Sequence, residues 1–326
     1  MRCLITGVAG FVGSHLAERL LADGHDVWGI DSFNDYYSRS LKERNLTIVR
    51  SYERFHLIEG DLLTLDLPRL LEGMDWIFHQ AAQAGVRASW GQEFERYVNC
   101  NVLATQKLLE AARHATGLQR RFVYASSSSV YGNTTVLPIS EALTPHPLSP
   151  YGVTKLAAEN LCSLYHQNFG LSTVSLRYFS VYGPRQRPDM AFHRFCKAIL
   201  DHQPNFIYGD GSQTRDFTYI SDVVEANIRA ATSDDAVGKV INIAGGSHVT
   251  LHQVLQMLQD ISRSTVNVVF KAKQYGDVDH TYADTSRAQQ ILGYRPQVSL
   301  REGLAQEFAD IAFLYEHAKD GEPPAA

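Results

Sequence analysis

The 326-residue chain has only four cysteines and no C-x-x-C pair. Cys3, Cys100, Cys162 and Cys196 lie far apart, so neither a zinc site nor a disulfide framework is expected. That usage fits a reducing cytoplasm. No apolar run approaches the roughly 18 residues of a membrane span. No basic block is present and the formal net charge is −5, which argues against a nucleic-acid partner. No internal repeat is found. The opening MRCLITGVAGF reads as a strand entering a glycine turn rather than an apolar leader. What is present is 44% apolar and 20% charged residues, enough for a large core, which excludes disorder for the bulk of the chain. The length suits two domains, or one large fold with a satellite.

The first half alternates short apolar runs with helical patterns. Strands are predicted at Arg2–Thr6, Val27–Ile30, Phe55–Ile58, Trp76–Phe78, Arg121–Ser126 and Ser172–Tyr178. Helices are predicted at Phe11–Ala22, Glu93–Arg113 and Pro150–Phe169, the last with proline at its start and Gly170 past its end. This is the rhythm of βαβ units around a mostly parallel sheet. After Gly183 a proline- and arginine-rich loop leads to further helices at Ala191–Leu200, Ser221–Ala231, Leu251–Ser262 and Leu300–Ala318. The expected organisation is a dinucleotide-binding core over residues 1–180. Residues 181–326 form a smaller α/β part that binds substrate and sends segments back to the core. The tail Lys319–Ala326 offers little to bury and is expected to be loose.

Between the first strand and helix lies Gly7-Val8-Ala9-Gly10-Phe11-Val12-Gly13. Gly7 permits a tight turn, Gly10 a close approach of backbone to a pyrophosphate, and Gly13 close helix packing. The phosphates sit at the positive end of the helix. Asp31 follows the second strand, where an acid binds ribose hydroxyls and repels a 2′-phosphate, so NAD is preferred over NADP. Asp61 follows the third strand and either reaches the adenine or caps a helix. His79-Gln80-Ala81-Ala82 follows the next strand; its small residues let a cofactor pass, and His79 reads as structural.

Tyr151 and Lys155 lie one helical turn apart on one face. An ammonium near a phenol favours the phenolate, giving a base for a hydroxyl proton. Ser126, Ser127, Ser128 and Ser129 emerge at the carboxyl end of a parallel strand, where such sheets place ligands, and Ser127 can bond the same hydroxyl as Tyr151. A surface Tyr–Lys pair is the alternative.

With these motifs in order, the sequence resembles the extended short-chain dehydrogenase/reductase family, in particular its nucleotide-sugar epimerases and dehydratases. The segments are GVAGFVG at 7–13, DSFNDYY at 31–37, GDL at 60–62, HQAAQAGVRAS at 79–89, SSSSVYG at 126–132 and YGVTK at 151–155. RYFSVYGPRQRPDMAF at 177–192, DGSQTRDFTYISD at 210–222 and GDVDHTYADTSRAQQILGY at 276–294 extend it over nearly the whole chain. The resemblance implies a Rossmann-type doubly wound sheet, bound NAD, a UDP-sugar substrate and a homodimer paired through Glu93–Arg113 and Pro150–Phe169. It makes Tyr151, Lys155 and Ser127 catalytic. It assigns cofactor contacts to Gly7, Gly10, Phe11, Val12, Gly13, Asp31, Asp61, Leu62, Gln80, Ala81, Ala82, Asn99, Ser126 and Tyr178, besides Tyr151 and Lys155. Arg187 and Arg215 are candidates for the diphosphate, with solvated loop arginines as the alternative; Asp277 is a candidate for the nucleotide ribose.

Dehydratases of this resemblance carry Asp-Glu directly after the catalytic hydroxyl residue, and decarboxylases keep the Glu. Here these positions are Ser128 and Ser129, which supply neither a base nor an acid, so simple epimerisation at C4 is expected. DSFNDYY, AAQAGVR and GPRQRPDMAF look most like the UDP-glucuronate 4-epimerases. Ser128 and Ser180 would then be neutral donors to the sugar carboxylate; serines around an uncharged hexose, as in UDP-glucose or UDP-N-acetylglucosamine, are the alternative. Thr281 falls where a tyrosine narrows some hexose epimerases, and is expected to leave room near the sugar.

Overall fold

The computed structural model describes residues 1–115 and 121–317. The expectations for Ala318 and for the tail Lys319–Ala326 lie outside the described residues. In chain order the first elements are β1 (Arg2–Thr6), α1 (Phe11–Ala22), β2 (Asp26–Asp31), α2 (Arg39–Asn45), β3 (Phe55–Glu59), α3 (Leu67–Leu71) and β4 (Trp76–His79). Next come α4 (Phe94–Tyr97), a π-helical segment (Val98–Leu103), α5 (Ala104–His114), β5 (Arg121–Ser127), α6 (Pro150–Phe169) and β6 (Thr173–Tyr178). The remainder holds β7 (Val181–Tyr182), α7 (Ala191–Leu200), β8 (Asn205–Tyr208), β9 (Thr214–Arg215), β10 (Thr218–Tyr219) and α8 (Ile220–Thr232). It ends with β11 (Val240–Ile243), β12 (Val249–Thr250), α9 (Leu251–Ser262), β13 (Val268–Lys271), α10 (Ser286–Leu292) and α11 (Leu300–His317).

The main sheet has seven strands in the order β11-β6-β5-β4-β1-β2-β3, all parallel. Strand order reverses between β1 and β4, which opens a crevice at their carboxyl ends. The strands read as near-continuous apolar runs because helices cover both faces. On one face α1 and α8 pack Leu16, Leu20, Val223 and Ala230 against the sheet. On the other, α5 and α6 contribute Leu108, Leu109, Ala158 and Cys162. A third cluster joins α7, α9 and α11 through Phe192, Phe195, Leu258 and Leu304. The second half of the chain thus builds its own core yet returns β11 and α8 to the large sheet.

The long helix α6 has the predicted ends. Ser149 caps it by accepting from Gly152 N at 3.1 Å, Pro150 stands in the first turn, and Gly170 closes it at φ 68°. The helix expected over Glu93–Arg113 is broken by the π segment, whose wider turn rotates the faces that follow. Asn101 within it is buried and clamps its surroundings. Its Oδ1 accepts from Gln83 N at 2.8 Å, and its Nδ2 donates to Gln83 O and to Thr154 Oγ1, each at 3.0 Å.

Candidate active site

A continuous cleft of about 750 Å³ runs along the carboxyl edge of the sheet. Its floor begins at the glycine loop. Gly7 adopts φ +71°, and a Cβ there would meet Ala81 Cα and N at 2.8 Å. A Cβ on Gly13 would meet Gly7 O at 2.2 Å. No side chain caps the start of α1, and its first turn holds no acid, so its leading amides stay available to an anion. This is a cradle that side chains would fill, and it fits the pyrophosphate of a dinucleotide. Phe11, Val12 and Gly10 complete the loop wall.

Asp31 is fixed by backbone. Its Oδ2 accepts from Ala9 N at 3.0 Å and its Oδ1 from Phe33 N at 2.9 Å. Burial pushes its carboxyl up, opposed by these amides and by Lys42. Lys42 itself donates to Asn34 O at 2.6 Å and Asn34 Oδ1 at 2.8 Å, so its ammonium is committed. We expect the protein to release NAD rather than NADP on denaturation. A 2′-phosphate beside Asp31 costs about 1–4 kcal/mol at ~4 Å, from bulk-water to protein-surface dielectric. Mass spectrometry of the released nucleotide checks this, and a predominance of NADP would overturn the role of Asp31.

Asp61 does not cap a helix: Asp66 caps α3, while Asp61 Oδ1 accepts from Leu63 N at 2.9 Å in a local turn. Asp61 and Leu62 line the cleft, as do Gln80, Ala81 and Ala82. Tyr178 also lines it, its hydroxyl taken up by Gln80 Oε1 at 3.2 Å and Asn227. His79 is structural, held between Thr6 Oγ1 at 2.7 Å and Thr105 Oγ1 at 2.8 Å, and burial pulls it down to about 3.

Ser127 ends β5, and α6 carries Tyr151 and Lys155 to the same wall. Burial raises the Tyr151 phenol, opposed by a hydrogen bond from Ser127 and by the charge of Arg187. Burial lowers the Lys155 ammonium to about 7, opposed by Cys162 and Glu159. Lys155 Nζ sits 4.6 Å from the centroid of the Tyr124 ring. Ser127 and Arg187 are thus the groups that oppose the upward push on the phenol, and burial weakens the Lys155 ammonium in turn. Ser126 lies at the cleft and donates to Glu159 Oε2 at 2.6 Å.

Ser128, Ser180, Arg187, Arg215 and Asp277 all line the cleft. Arg215 donates to the carbonyls of Thr214 (2.8 Å), Asp279 (3.1 Å) and Val278 (2.7 Å), with no ion pair among the described residues. Its charge is thus left for a ligand anion. Asp277 pairs with Arg87 at 2.8 Å, whose guanidinium lies 4.1 Å from the Tyr208 ring centroid. Arg187 lines the same cleft, and its charge opposes the upward push that burial gives the Tyr151 and Tyr97 phenols.

Two residues singled out in the sequence are not among those lining the cleft. Asn99 is half-buried and does not line the cleft; the π turn brings Cys100 to the wall and buries Asn101 instead. Thr281 is not on the wall either, being buried with its Oγ1 accepting from Asp216 N at 3.2 Å. Sequence reasoning missed Tyr36, Lys42, Arg87 and Asp189, which all line the cleft. Asp189 was within reach of the R-x-D spacing after Arg187. The Arg87–Asp277 pair had no local signal, as its members come from distant parts of the chain.

A doubly wound sheet that closes a dinucleotide cradle against Ser, Tyr and Lys defines an extended short-chain dehydrogenase/reductase. More narrowly, residues 4–307 match the GDP-mannose 4,6 dehydratase family, and the chain belongs to it. It is 48% identical over 317 residues to YtcB of Bacillus subtilis, described as an uncharacterised UDP-glucose epimerase, covering 97% of this chain and 99% of that one. It is 38% identical to a UDP-glucuronate 4-epimerase of Thermodesulfobacterium geofontis, over 92% of this chain and 93% of that one. The crystal structure of UDP-glucuronic acid 4-epimerase from Bacillus cereus, in complex with UDP-glucuronic acid and NAD, superposes with a TM-score of 0.93. It is 45% identical, covering 97% of this chain and all of that one.

Proposed function

We propose that the chain is an NAD-dependent isomerase that inverts C4 of UDP-glucuronate to give UDP-galacturonate. One observation carries this reading: a single cleft joins the glycine cradle, Ser127 with Tyr151, and Arg187, with serine rather than acid at 128 and 129. Residues 1–180 hold mainly the cofactor and residues 181–326 mainly the nucleotide sugar. Arg215 and Arg187 serve the diphosphate, and Ser128 and Ser180 serve the sugar carboxylate as neutral donors.

Bound NAD supplies a hydride acceptor that later gives the same hydride back. Tyr151 takes the C4 hydroxyl proton while Ser127 bonds that oxygen, and Lys155 holds the cofactor ribose from the same helix. The 4-keto sugar turns about its pyrophosphate link, and Tyr151 returns the proton when C4 is reduced on its other face. The keto sugar is a β-keto acid and loses CO₂ readily, so neutral donors at 128 and 180 restrain the carboxylate. Asp189, the acid nearest Arg187, is no substitute for the missing dehydratase pair. Burial pushes its carboxyl up, but Arg187 prevails and holds it below the usual range.

We read the assembly as a cytoplasmic homodimer. Phe94, Leu103, Val153 and Leu164 are exposed on α4, the π segment and α6, which supports pairing of those helices between copies. All four cysteines are free, and no helix among the described residues is long and apolar enough to cross a membrane.

Incubation with UDP-glucuronate, UDP-glucose, UDP-N-acetylglucosamine and dTDP-glucose, followed by NMR without added reductant, tests the reading. We expect UDP-galacturonate with very little pentose. UDP-xylose or a 4-keto-pentose would make it a decarboxylase, and a 4-keto-6-deoxy sugar a dehydratase. Conversion of UDP-glucose alone would keep the mechanism and refute the carboxylate role of Ser128 and Ser180.

A further inference from the structure

The short helix α2 turns two cations toward the ends of β2 and β3. Arg39 and Lys42 lie three residues apart on it, which makes them neighbours on one face. Arg39 donates from Nη1 to Glu59 Oε1 at 2.7 Å and from Nη2 to Glu59 Oε2 at 2.6 Å, a two-bond fork. Its Nε donates to Glu43 Oε1 at 3.2 Å, but Glu43 is shared with Arg50, so Glu59 is the main counter-charge. Glu59 ends β3 directly opposite Asp31 in the parallel register, and such strands run about 4.8 Å apart. Burial pushes the Asp31 carboxyl up, and the charge of Glu59 adds to that push. The Arg39 guanidinium carbon lies 4.3 Å from the Phe33 ring centroid, and Phe33 N donates to Asp31 Oδ1 at 2.9 Å. Arg39, Glu59 and Asp31 therefore form one charged cluster at the ends of two adjacent strands.

We propose that Glu59 is a second cofactor-selectivity residue: it occupies the Arg39 fork that the 2′-phosphate of NADP would otherwise take, and so bars NADP together with Asp31. This rests on the reading of Asp31 as the acid at the adenosine ribose. NADP differs from NAD by one phosphate on that ribose. An open arginine fork is well matched to a phosphate, which it binds through two charge-assisted hydrogen bonds. With Glu59 present, the phosphate has to displace a carboxylate from Arg39 and then lie near two carboxylates. Without Glu59, the guanidinium stays over the Phe33 ring, beside Asp31, with its fork exposed. Lys42 does not replace Arg39 in this role, because two of its donors go to Asn34. The side chains of Arg39 and Glu59 are 53% and 50% exposed, so the effect is modest and screened by salt.

The test equilibrates the purified protein with equal excesses of NAD and NADP at low salt. Bound nucleotide is separated by gel filtration, released by denaturation and counted by mass spectrometry. The bound NADP-to-NAD ratio cancels whatever a variant does to the parts that the two nucleotides share. We expect Glu59→Gln to raise that ratio about fivefold, the scale of one exposed charge contact. The gain shrinks toward nothing as ionic strength rises. Adding Arg39→Gln to Glu59→Gln removes most of it. Arg39→Gln alone leaves the Glu59 charge unbalanced and lowers the ratio below that of the unmodified chain, which carries the test if Glu59→Gln fails to fold. An unchanged ratio in Glu59→Gln, equal loss of both nucleotides, or a gain that persists undiminished without Arg39 would overturn the proposal. A predominance of NADP in the unmodified chain would remove the role of Asp31 and this inference with it. NAD in the unmodified chain with no selective change in the variants would remove the inference alone.

Discussion

Tyr151→Phe is expected to keep the fold and the bound NAD while losing about 10²–10⁴-fold in kcat, the range for a positioned general acid–base. The ring stays, so its packing against Tyr97, at 6.2 Å between centroids, is preserved. What goes is the oxygen that exchanges a proton with the C4 hydroxyl and is bonded by Ser127. Burial raises the phenol, with Ser127 and Arg187 opposing it. NAD, when bound, would bring a cationic nicotinamide that favours the phenolate further. kcat against pH should therefore rise through an apparent pKa that is lost with the Tyr151 hydroxyl. Single-turnover assays with the purified holoenzyme check the kcat loss, and near-normal turnover would show that the proton goes elsewhere. Lys155→Met should differ in kind by also lowering NAD retention.

The sheet, the glycine loop and the Ser–Tyr–Lys trio were legible in the sequence because each is local. Strand periodicity places Thr6, Asp31, His79 and Ser127 at strand ends, and parallel pairing then brings those ends to one edge without further information. Thr6 opposite His79 and Ser127 opposite Tyr178 are direct consequences of that register. Asn99 lies off the cleft lining for the opposite reason. A π turn is set by what Asn101 must bond, and its partners Gln83 and Thr154 belong to other parts of the chain. Periodicity cannot reveal such partners. The same holds for Arg187, whose loop Gly183–Asp189 reads as irregular. Its direction is fixed by remote contacts: Gly183 N to Glu307 Oε2 at 2.8 Å, Arg185 N to Asp310 Oδ2 at 2.9 Å, and His15 Nε2 to Pro184 O at 2.9 Å. With α11 and α1 both gripping the loop, Arg187 is carried to the cleft wall.

Glu159→Ala is expected to destabilise the protein by about 3–5 kcal/mol, the usual cost of removing one partner from a buried ion pair. Glu159 lies one helical turn beyond Lys155, and Arg177 faces it from β6. Arg177 Nε donates to Glu159 Oε2 at 2.9 Å and Nη2 to Oε1 at 2.6 Å, with side-chain exposures of only 5% and 3%. Arg177 Nη1 already lacks a hydrogen-bond partner, so loss of the carboxylate leaves the guanidinium little beyond the Tyr131 ring, whose centroid lies 4.6 Å from its carbon. Ser126 loses its acceptor in the same step, at the strand end that carries Ser127. Lys155 loses one of the two groups that oppose its desolvation, which moves its ammonium below about 7 and weakens the donor available to the cofactor. Stability and NAD retention should thus fall together, although Glu159 itself is buried behind the cleft wall. Thermal unfolding should show a drop in Tm of roughly 4–7 °C. Replacing both partners by apolar residues, Glu159→Leu with Arg177→Met, should recover most of the stability, because no charge is then left buried alone. It should not recover NAD retention, since neither leucine nor methionine supports the Lys155 ammonium. A Tm loss below about 2 °C for Glu159→Ala would mean that water reaches Arg177 and that the pair is not the support the geometry indicates.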